Sequence, residues 1–409
     1  MTPNISPAAT GSAMDAFLLR TVLTGAMAMP MLIFYAIGTL GPFLVADLGV
    51  APGWLGYLTM SAFGFAALLS LWAGPLVGRL GARRALLLLF LIAALAYTLI
   101  GMAPGFAGVV LAVALCGIAQ ALANPATNLL IAERVPPQSK AAVVGLKQAG
   151  VQVAALFAGL LLPGIAQQFG WRAALLLLVP VGLLLALLAP RIAPKTAGKA
   201  ASFGLTRPSR ALALLMAIQL CAGVALSAYI TFLGVFATGQ GMSSLVAGSL
   251  VAAFGVVGIL VRVLLTPIAG RMRDESWLLL ILLALAACAV GVTAQATPAR
   301  HWMIWAGTIG IGLTAVATNA IAMSMLLRDR IFGAPATSAG MLSVGFFAGF
   351  AFGPPAFGAL SASAWGFDGA WGALIGVLAL GCLLTLWLAW SRRSASGTAE
   401  VLSHPAGVK

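Results

Sequence analysis

The sequence predicts an all-α membrane protein: twelve transmembrane helices arranged as two six-helix bundles, with both termini cytoplasmic. Composition, apolar run length and an internal repeat predict it. Of 409 residues, 62% are hydrophobic and 7% charged, with a mean hydropathy of +1.09. So few charges cannot cover the surface of a water-soluble domain. Apolar stretches of roughly 18 residues or more recur along the chain, each long enough to cross a hydrocarbon core of about 30 Å. Backbone facing lipid must satisfy its own hydrogen bonds, which makes these stretches helices. The ~10-residue alternating segments of a β-barrel are absent.

The helices are predicted at 17–46, 54–77, 85–103, 106–132, 141–165 and 172–190, then at 211–236, 244–269, 277–295, 302–326, 336–361 and 371–391. The domains follow: a first six-helix bundle over 1–190, a basic cytoplasmic linker over 191–210, a second bundle over 211–391 and a cytoplasmic tail over 392–409. The polar N-terminus up to Asp15 lacks a basic region and a cleavage site, so the first apolar segment is expected to be retained.

The two halves align on each other. Gly41 and Phe43 match Gly234 and Phe236, and Ala62-Phe63-Gly64 matches Ala253-Phe254-Gly255. Pro75-Leu76-Val77-Gly78-Arg79-Leu80 matches Pro267-Ile268-Ala269-Gly270-Arg271-Met272, Ala126-Thr127-Asn128 recurs as Ala317-Thr318-Asn319, and Gly150 and Gly159 match Gly340 and Gly349. The offsets run from 190 to 193, in chain order. Parallel six-helix repeats joined by a linker are an arrangement of rocking-bundle carriers.

Charge placement sets the orientation. One set of loops holds Arg79, Arg83, Arg84, Arg134, Lys140, Arg271, Arg273, Arg328 and Arg330, the linker cations Arg191, Lys195, Lys199, Arg207 and Arg210, and the tail cations Arg392, Arg393 and Lys409. The opposite loops hold only Arg172 and Arg300. The positive-inside rule puts the first set in the cytoplasm. The net charge of +14 therefore reflects topology and attraction to anionic lipid, and nucleic acid is excluded as a partner. Tryptophans agree: Trp54, Trp171, Trp302, Trp305, Trp365 and Trp371 fall at outer helix ends, and Trp72, Trp277, Trp387 and Trp390 at inner ones. Cys116, Cys221, Cys288 and Cys382 lie in apolar stretches without metal spacing, as small core residues.

The segment Gly74-Pro75-Leu76-Val77-Gly78-Arg79-Leu80-Gly81-Ala82-Arg83-Arg84 resembles the loop motif G-x-L-x-D-R-x-G-R-[KR] between the second and third helices of the major facilitator superfamily. Gly78 stands where that motif has its acid, and Gly270 stands there in the second copy, beside Arg271. The resemblance implies a gating loop that pairs an acid with an arginine across helix ends; without the acid, Arg79 is left to cap a helix C-terminus. Gly150, Gly159, Pro163 and Gly164 on the fifth helix, and Gly340, Gly349, Gly353, Pro354 and Gly358 on the eleventh, resemble the glycine-proline motif of drug:proton antiporters. Close packing of small residues between helices is the alternative reading.

All eight acidic residues, Asp15, Asp47, Glu133, Asp274, Glu275, Asp329, Asp368 and Glu400, fall in predicted loops or tails. Two cations do not: Lys147 in the fifth helix and Arg262 in the eighth. A cation at a helix centre costs roughly 2.5–3.5 kcal/mol on insertion scales, so it marks a function or a wet cavity unless its stem snorkels to the surface. Neither has a counterpart in the other half, as befits a substrate site laid over a duplicated frame. The family resemblance places the fifth and eighth helices across one central cavity. An arginine fork grips a carboxylate and a lysine adds a point charge, so the pair favours an anionic substrate. An arginine on the eighth helix is also similar to the substrate arginine of monocarboxylate and oxalate carriers of the superfamily.

Amides recur beside these cations. Gln120, Asn124 and Asn128 form one stripe on the fourth helix, Gln148 and Gln152 lie on the fifth, and Gln219 and Asn319 belong to the second half. Tyr35 and Tyr229 sit mid-helix in the first and seventh helices, positions the resemblance implies line the cavity. All are candidate substrate contacts, with interhelical hydrogen bonding as the competing role. His301 and His404 lie in a loop and the tail. The expected activity is secondary active transport of a small organic anion, a carboxylate, across the bacterial inner membrane by alternating access. Protons are a candidate coupling ion, by symport or antiport, and a monomer is the expected unit. Efflux of an amphiphilic drug is the alternative. No H-E-x-x-H and no intramembrane acid is present, so an enzyme, a metal site and a cofactor are not expected.

Overall fold

The computed structural model describes residues 13–194, 207–269, 272, 274–333 and 335–403. Among them all regular structure is helical: α1 (Ala13–Leu48), α2 (Leu55–Met102), α3 (Phe106–Arg134), α4 (Lys140–Leu176), α5 (Leu178–Ile192), α6 (Arg210–Gly239), α7 (Ser244–Ala269), α8 (Ser276–Ala294), α9 (Trp302–Arg328), α10 (Pro335–Ser361) and α11 (Gly366–Ser403). Ten helical stretches among the described residues are long and apolar enough to cross a membrane. Two of them, Pro52–Met102 with 51 residues and Pro137–Ile192 with 56, far exceed one crossing; at about 1.5 Å per residue they would outrun any bilayer if straight.

They break at single glycines. Gly81 in α2 (φ 76°, ψ 161°) and Gly170 in α4 (φ 83°, ψ 157°) hold backbone conformations that a Cβ strongly disfavours. The loops expected between the second and third helices and between the fifth and sixth thus shrink to one residue each, with helix on both sides. At the other extreme, the tail expected from residue 392 continues α11 to Ser403. Arg392 anchors this extension: Nη1 donates to Asp274 Oδ1 (2.7 Å) and Ser276 Oγ (3.0 Å), and Nη2 to Asp329 Oδ2 (3.2 Å). Arg328 donates to the buried Glu275 at 2.5 Å, so charges from α8, α9 and α11 form one plate at the linker end. At the opposite end, Trp171 Nε1 donates to Asp47 Oδ2 at 3.0 Å and Arg172 pairs with the same carboxylate.

The first half, α1–α5, meets the second, α6–α11, chiefly where α1 packs on α6, α2 on α10 and α4 on α7, with lesser contacts of α1 with α7 and α2 with α6. Far from the linker these pairs touch backbone to backbone. A methyl added to Gly234 would lie 2.2 Å from the Gly38 carbonyl oxygen, one on Gly53 2.6 Å from that of Gly358, and one on Gly159 2.5 Å from that of Gly248. Only glycine permits such approach. Along the same face of α2 the gap then widens, from 2.5 Å between a Gly56 methyl and Pro354 to 4.0 Å between a Gly64 methyl and Ala351. A hydrogen bond between the buried hydroxyls of Thr59 and Thr231 (3.0 Å) joins the halves beside this seal. The halves are therefore sealed at the end remote from the linker.

Trp371 departs from its expected place at the interface. It is fully buried within α11 (Gly366–Ser403) and packs on Tyr229, Phe236 and Phe357, so aromatic packing inside the second half claims that indole.

Candidate functional site

The site forms where α3, α4 and α7 converge. The four-residue spacing of Gln120, Asn124 and Asn128 keeps them on one face of α3, and Lys147 meets that face from α4. Lys147 is 1% exposed, which excludes snorkelling to the surface. Its Nζ donates to Asn128 Oδ1 (2.6 Å), Thr127 Oγ1 (2.9 Å) and Asn124 Oδ1 (3.3 Å). An ammonium has three N–H groups and no acceptor, so all its donors are in use. Thr127 accepts with an oxygen lone pair and directs its own proton to the Ala123 carbonyl at 2.6 Å, away from the lysine.

The same chemistry fixes the amides. Lysine only donates, so Asn124 and Asn128 must turn their oxygens to it. Gln148 Nε2 donates to the same Asn124 Oδ1 (3.3 Å), which leaves Gln148 Oε1 to accept from Arg262 Nη1 at 3.4 Å. Arginine, too, only donates. The network thus runs from Lys147 through Asn124 and Gln148 to Arg262, crossing from one half to the other. Asn128 is exposed, and Asn124, Gln148 and Arg262 are partly exposed, so this wall faces accessible space. Among the described residues neither cation enters an ion pair, and Arg262 Nε is buried without a partner.

Tyr35 is buried between Phe34 and Phe254 and lies within electrostatic reach of Arg262. Gln152 is buried against Gly258 of α7 and Gln120 is likewise buried, each with Oε1 unpartnered among the described residues. The remaining candidates lie outside this network. Gln219 donates to the Thr318 carbonyl at 3.3 Å, inside the second half. Asn319 is partly exposed and makes no hydrogen bond among the described residues. Tyr229 bonds Thr293 (2.8 Å) and Thr308 (3.0 Å) and tilts against Trp371, tying α6 to α8, α9 and α11 as part of that half's core. Thr127, not among the predicted contacts, is a full member of the lysine's shell; its presence in the repeated Ala126-Thr127-Asn128 was the available signal.

In the gating-loop segment, Gly81 supplies the turn, Gly74 has open space beside it, Gly78 and Arg83 are half-buried, and Arg79 and Arg84 are exposed. Arg271, the second-copy arginine, lies outside the described residues. In the glycine-proline segments, Gly150 packs on the Thr24 carbonyl of α1 and Gly349 on the Leu220 carbonyl of α6, while Gly159 meets Gly248 of α7 and Gly340 has open space beside it. Gly150, Gly159 and Gly349 thus serve close helix packing.

The family model described as Major Facilitator Superfamily matches residues 22–337. No curated protein matches the sequence. Among solved structures, the chain is similar to a bacterial homolog of the human lysosomal transporter Spinster in two inward-facing conformations. The occupied one aligns with a TM-score of 0.71 at 17% identity, covering 93% of this chain and 98% of that one. The unoccupied one aligns with a TM-score of 0.74 at 17% identity, covering 92% and 97%. Such identity speaks for the fold alone. With the family model matched over most of its length, the chain belongs to the Major Facilitator Superfamily and is a multi-pass membrane transporter, not an enzyme.

Proposed function

We propose that the chain carries a small organic anion, a carboxylate, across the bacterial inner membrane by alternating access, as a monomer. The observation that carries this reading is the surplus of hydrogen-bond donors between the halves. Among the described residues, Arg262 makes one long hydrogen bond with its five N–H groups, and its buried Nε has no partner. The amide nitrogens of Asn124 and Asn128 have no acceptor among the described residues. A buried donor without a partner costs about 1–3 kcal/mol, and a carboxylate supplies the missing acceptors together with the missing charge. Cationic drugs would meet two positive charges and no acid, which disfavours amphiphile efflux.

Twelve spans follow if the stretches that break at Gly81 and Gly170 each cross twice. The halves 1–190 and 211–391 then move as two six-helix bodies about the shared site, with residues 191–210 between them and the loop around Arg79 at their cytoplasmic ends. The excess of basic residues at the linker end supports cytoplasmic termini. On that orientation the glycine seal lies outside, and this is the inward-facing state.

The test is uptake of labelled mono- and dicarboxylates into proteoliposomes, with an imposed proton gradient or a trans-side anion to separate symport from exchange. Arg262→Ala is expected to abolish uptake. Arg262→Lys, which keeps the charge and loses the fork, is expected to raise KM at least tenfold, about 1.4 kcal/mol. Absence of carboxylate transport by the parent, or full transport by Arg262→Ala, sinks the reading.

A further inference from the structure

The anion reading leaves open what Lys147 does, and the obvious answer is that its charge touches the substrate. The geometry argues otherwise. All three Nζ donors are taken, by Asn128 at 2.6 Å, Thr127 at 2.9 Å and Asn124 at 3.3 Å, and the residue is 1% exposed. An anion would have to strip one of these bonds to reach the ammonium. The groups that do face accessible space are the two asparagines and, next to them, Gln148 and Arg262.

Resting on that reading, we infer that Lys147 is a positioning residue: it holds the amide oxygens of Asn124 and Asn128 inward, so that their nitrogens form a donor-only wall opposite Arg262. A free asparagine presents oxygen or nitrogen to a ligand with similar ease, since the two ends of the amide are nearly the same shape. Beside a buried cation that only donates, one orientation leaves a hydrogen bond of 2.6 Å and the other sets N–H against N–H. Lys147 therefore converts two ambivalent amides into four N–H groups of fixed direction. Gln148 is drawn into the same order: its nitrogen points to Asn124 because Asn124 Oδ1 is already turned to the lysine, and its oxygen is left for Arg262.

A substrate class follows. A wall of donors accepts a carboxylate whose facing atoms are all acceptors and rejects a ligand that brings N–H groups of its own. Sites built around directed polar groups discriminate strongly, because the wrong ligand leaves buried donors opposed. Monocarboxylates without an ammonium group fit; zwitterionic amino acids of the same size do not.

The test compares KM and maximal rate for labelled propionate and alanine in proteoliposomes of the parent, Lys147→Gln, Lys147→Met and Asn128→Leu. The parent is expected to carry propionate at least tenfold better than alanine. Lys147→Gln retains a donor that can hold an asparagine oxygen, and its KM is expected to stay within about threefold of the parent; Lys147→Met has no donor, and its KM should rise tenfold or more. Equal collapse of both variants would assign Lys147 a direct charge contact and overturn the inference. Asn128→Leu frees a lysine N–H: a rise in KM supports the donor wall, whereas an unchanged or lower KM overturns it. This arm stands even if Lys147→Met fails to fold. Parity of alanine with propionate also overturns it while leaving anion transport intact, and transport of no carboxylate at all removes both.

Discussion

Thr59 of α2 and Thr231 of α6 share a 3.0 Å hydrogen bond with both hydroxyls fully buried, one of two side-chain hydrogen bonds between the halves among the described residues. The other joins Gln148 and Arg262, so one bond lies at the sealed end and one at the polar site. When the seal opens, each hydroxyl can turn to water or to its own helix, so the Thr59–Thr231 bond favours only the closed arrangement. A net hydrogen bond is worth about 1 kcal/mol. Thr59→Val is therefore expected to shift the equilibrium about fivefold toward opening at that end. Distances between spin labels at Trp54→Cys and Leu360→Cys, both exposed positions, report the shift as a larger long-distance population.

Gly53 and Gly358 make the seal possible by letting two backbones meet. A side chain on Gly53 would collide with a carbonyl oxygen, which cannot swing away as a flexible side chain would. Gly53→Val is expected to prevent closure, to lengthen the same label distance and to lower uptake more than tenfold. Gly376→Val, in α11 where a Cβ meets nothing within 4 Å, serves as the control and should retain uptake. Equal activity of the two variants would contradict the role given to the seal.

Gly81 is the residue of the gating-loop segment whose identity the backbone itself requires. Its φ of 76° with ψ of 161° is open to glycine and costs a side-chain-bearing residue about 1–3 kcal/mol. Gly81→Ala should lower the thermal unfolding temperature in detergent, while Gly78→Ala, in the same helix without a positive φ, should not. Matching melting curves would mean that the turn tolerates a Cβ.

Arg392 holds α8 and α9 to α11 through Asp274, Ser276 and Asp329, and its side chain is only 14% exposed. Arg392→Ala leaves those acids without this partner. The expected loss is about 2 kcal/mol, less than for a wholly buried pair because Asp329 remains partly wet. Unfolding at low and high salt checks it: the gap between parent and variant should narrow as salt screens the charges. Arg172→Ala, at a more exposed pair, should cost less.

Lys147 and Arg262 could be singled out from sequence because a charge in an apolar run is expensive wherever the helix packs. The helical runs were legible for the same reason: lipid leaves the backbone no alternative. The repeat, the linker and the charge asymmetry are likewise one-dimensional, and composition alone excludes a soluble enzyme. Tertiary structure decided what depends on neighbours. It drew Asn124, Asn128 and Gln148 into the network and left Tyr229, Gln219 and Asn319 out, though all six look alike as polar residues in apolar helices. It added Thr127, whose hydroxyl accepts from Lys147 while donating to the Ala123 carbonyl. It showed Gly81 and Gly170 to be turns, while Gly38, Gly53 and Gly159 are contacts between halves. The physical reason is that insertion cost belongs to a residue and its own helix, whereas hydrogen-bond direction and backbone approach belong to pairs of helices far apart in the chain.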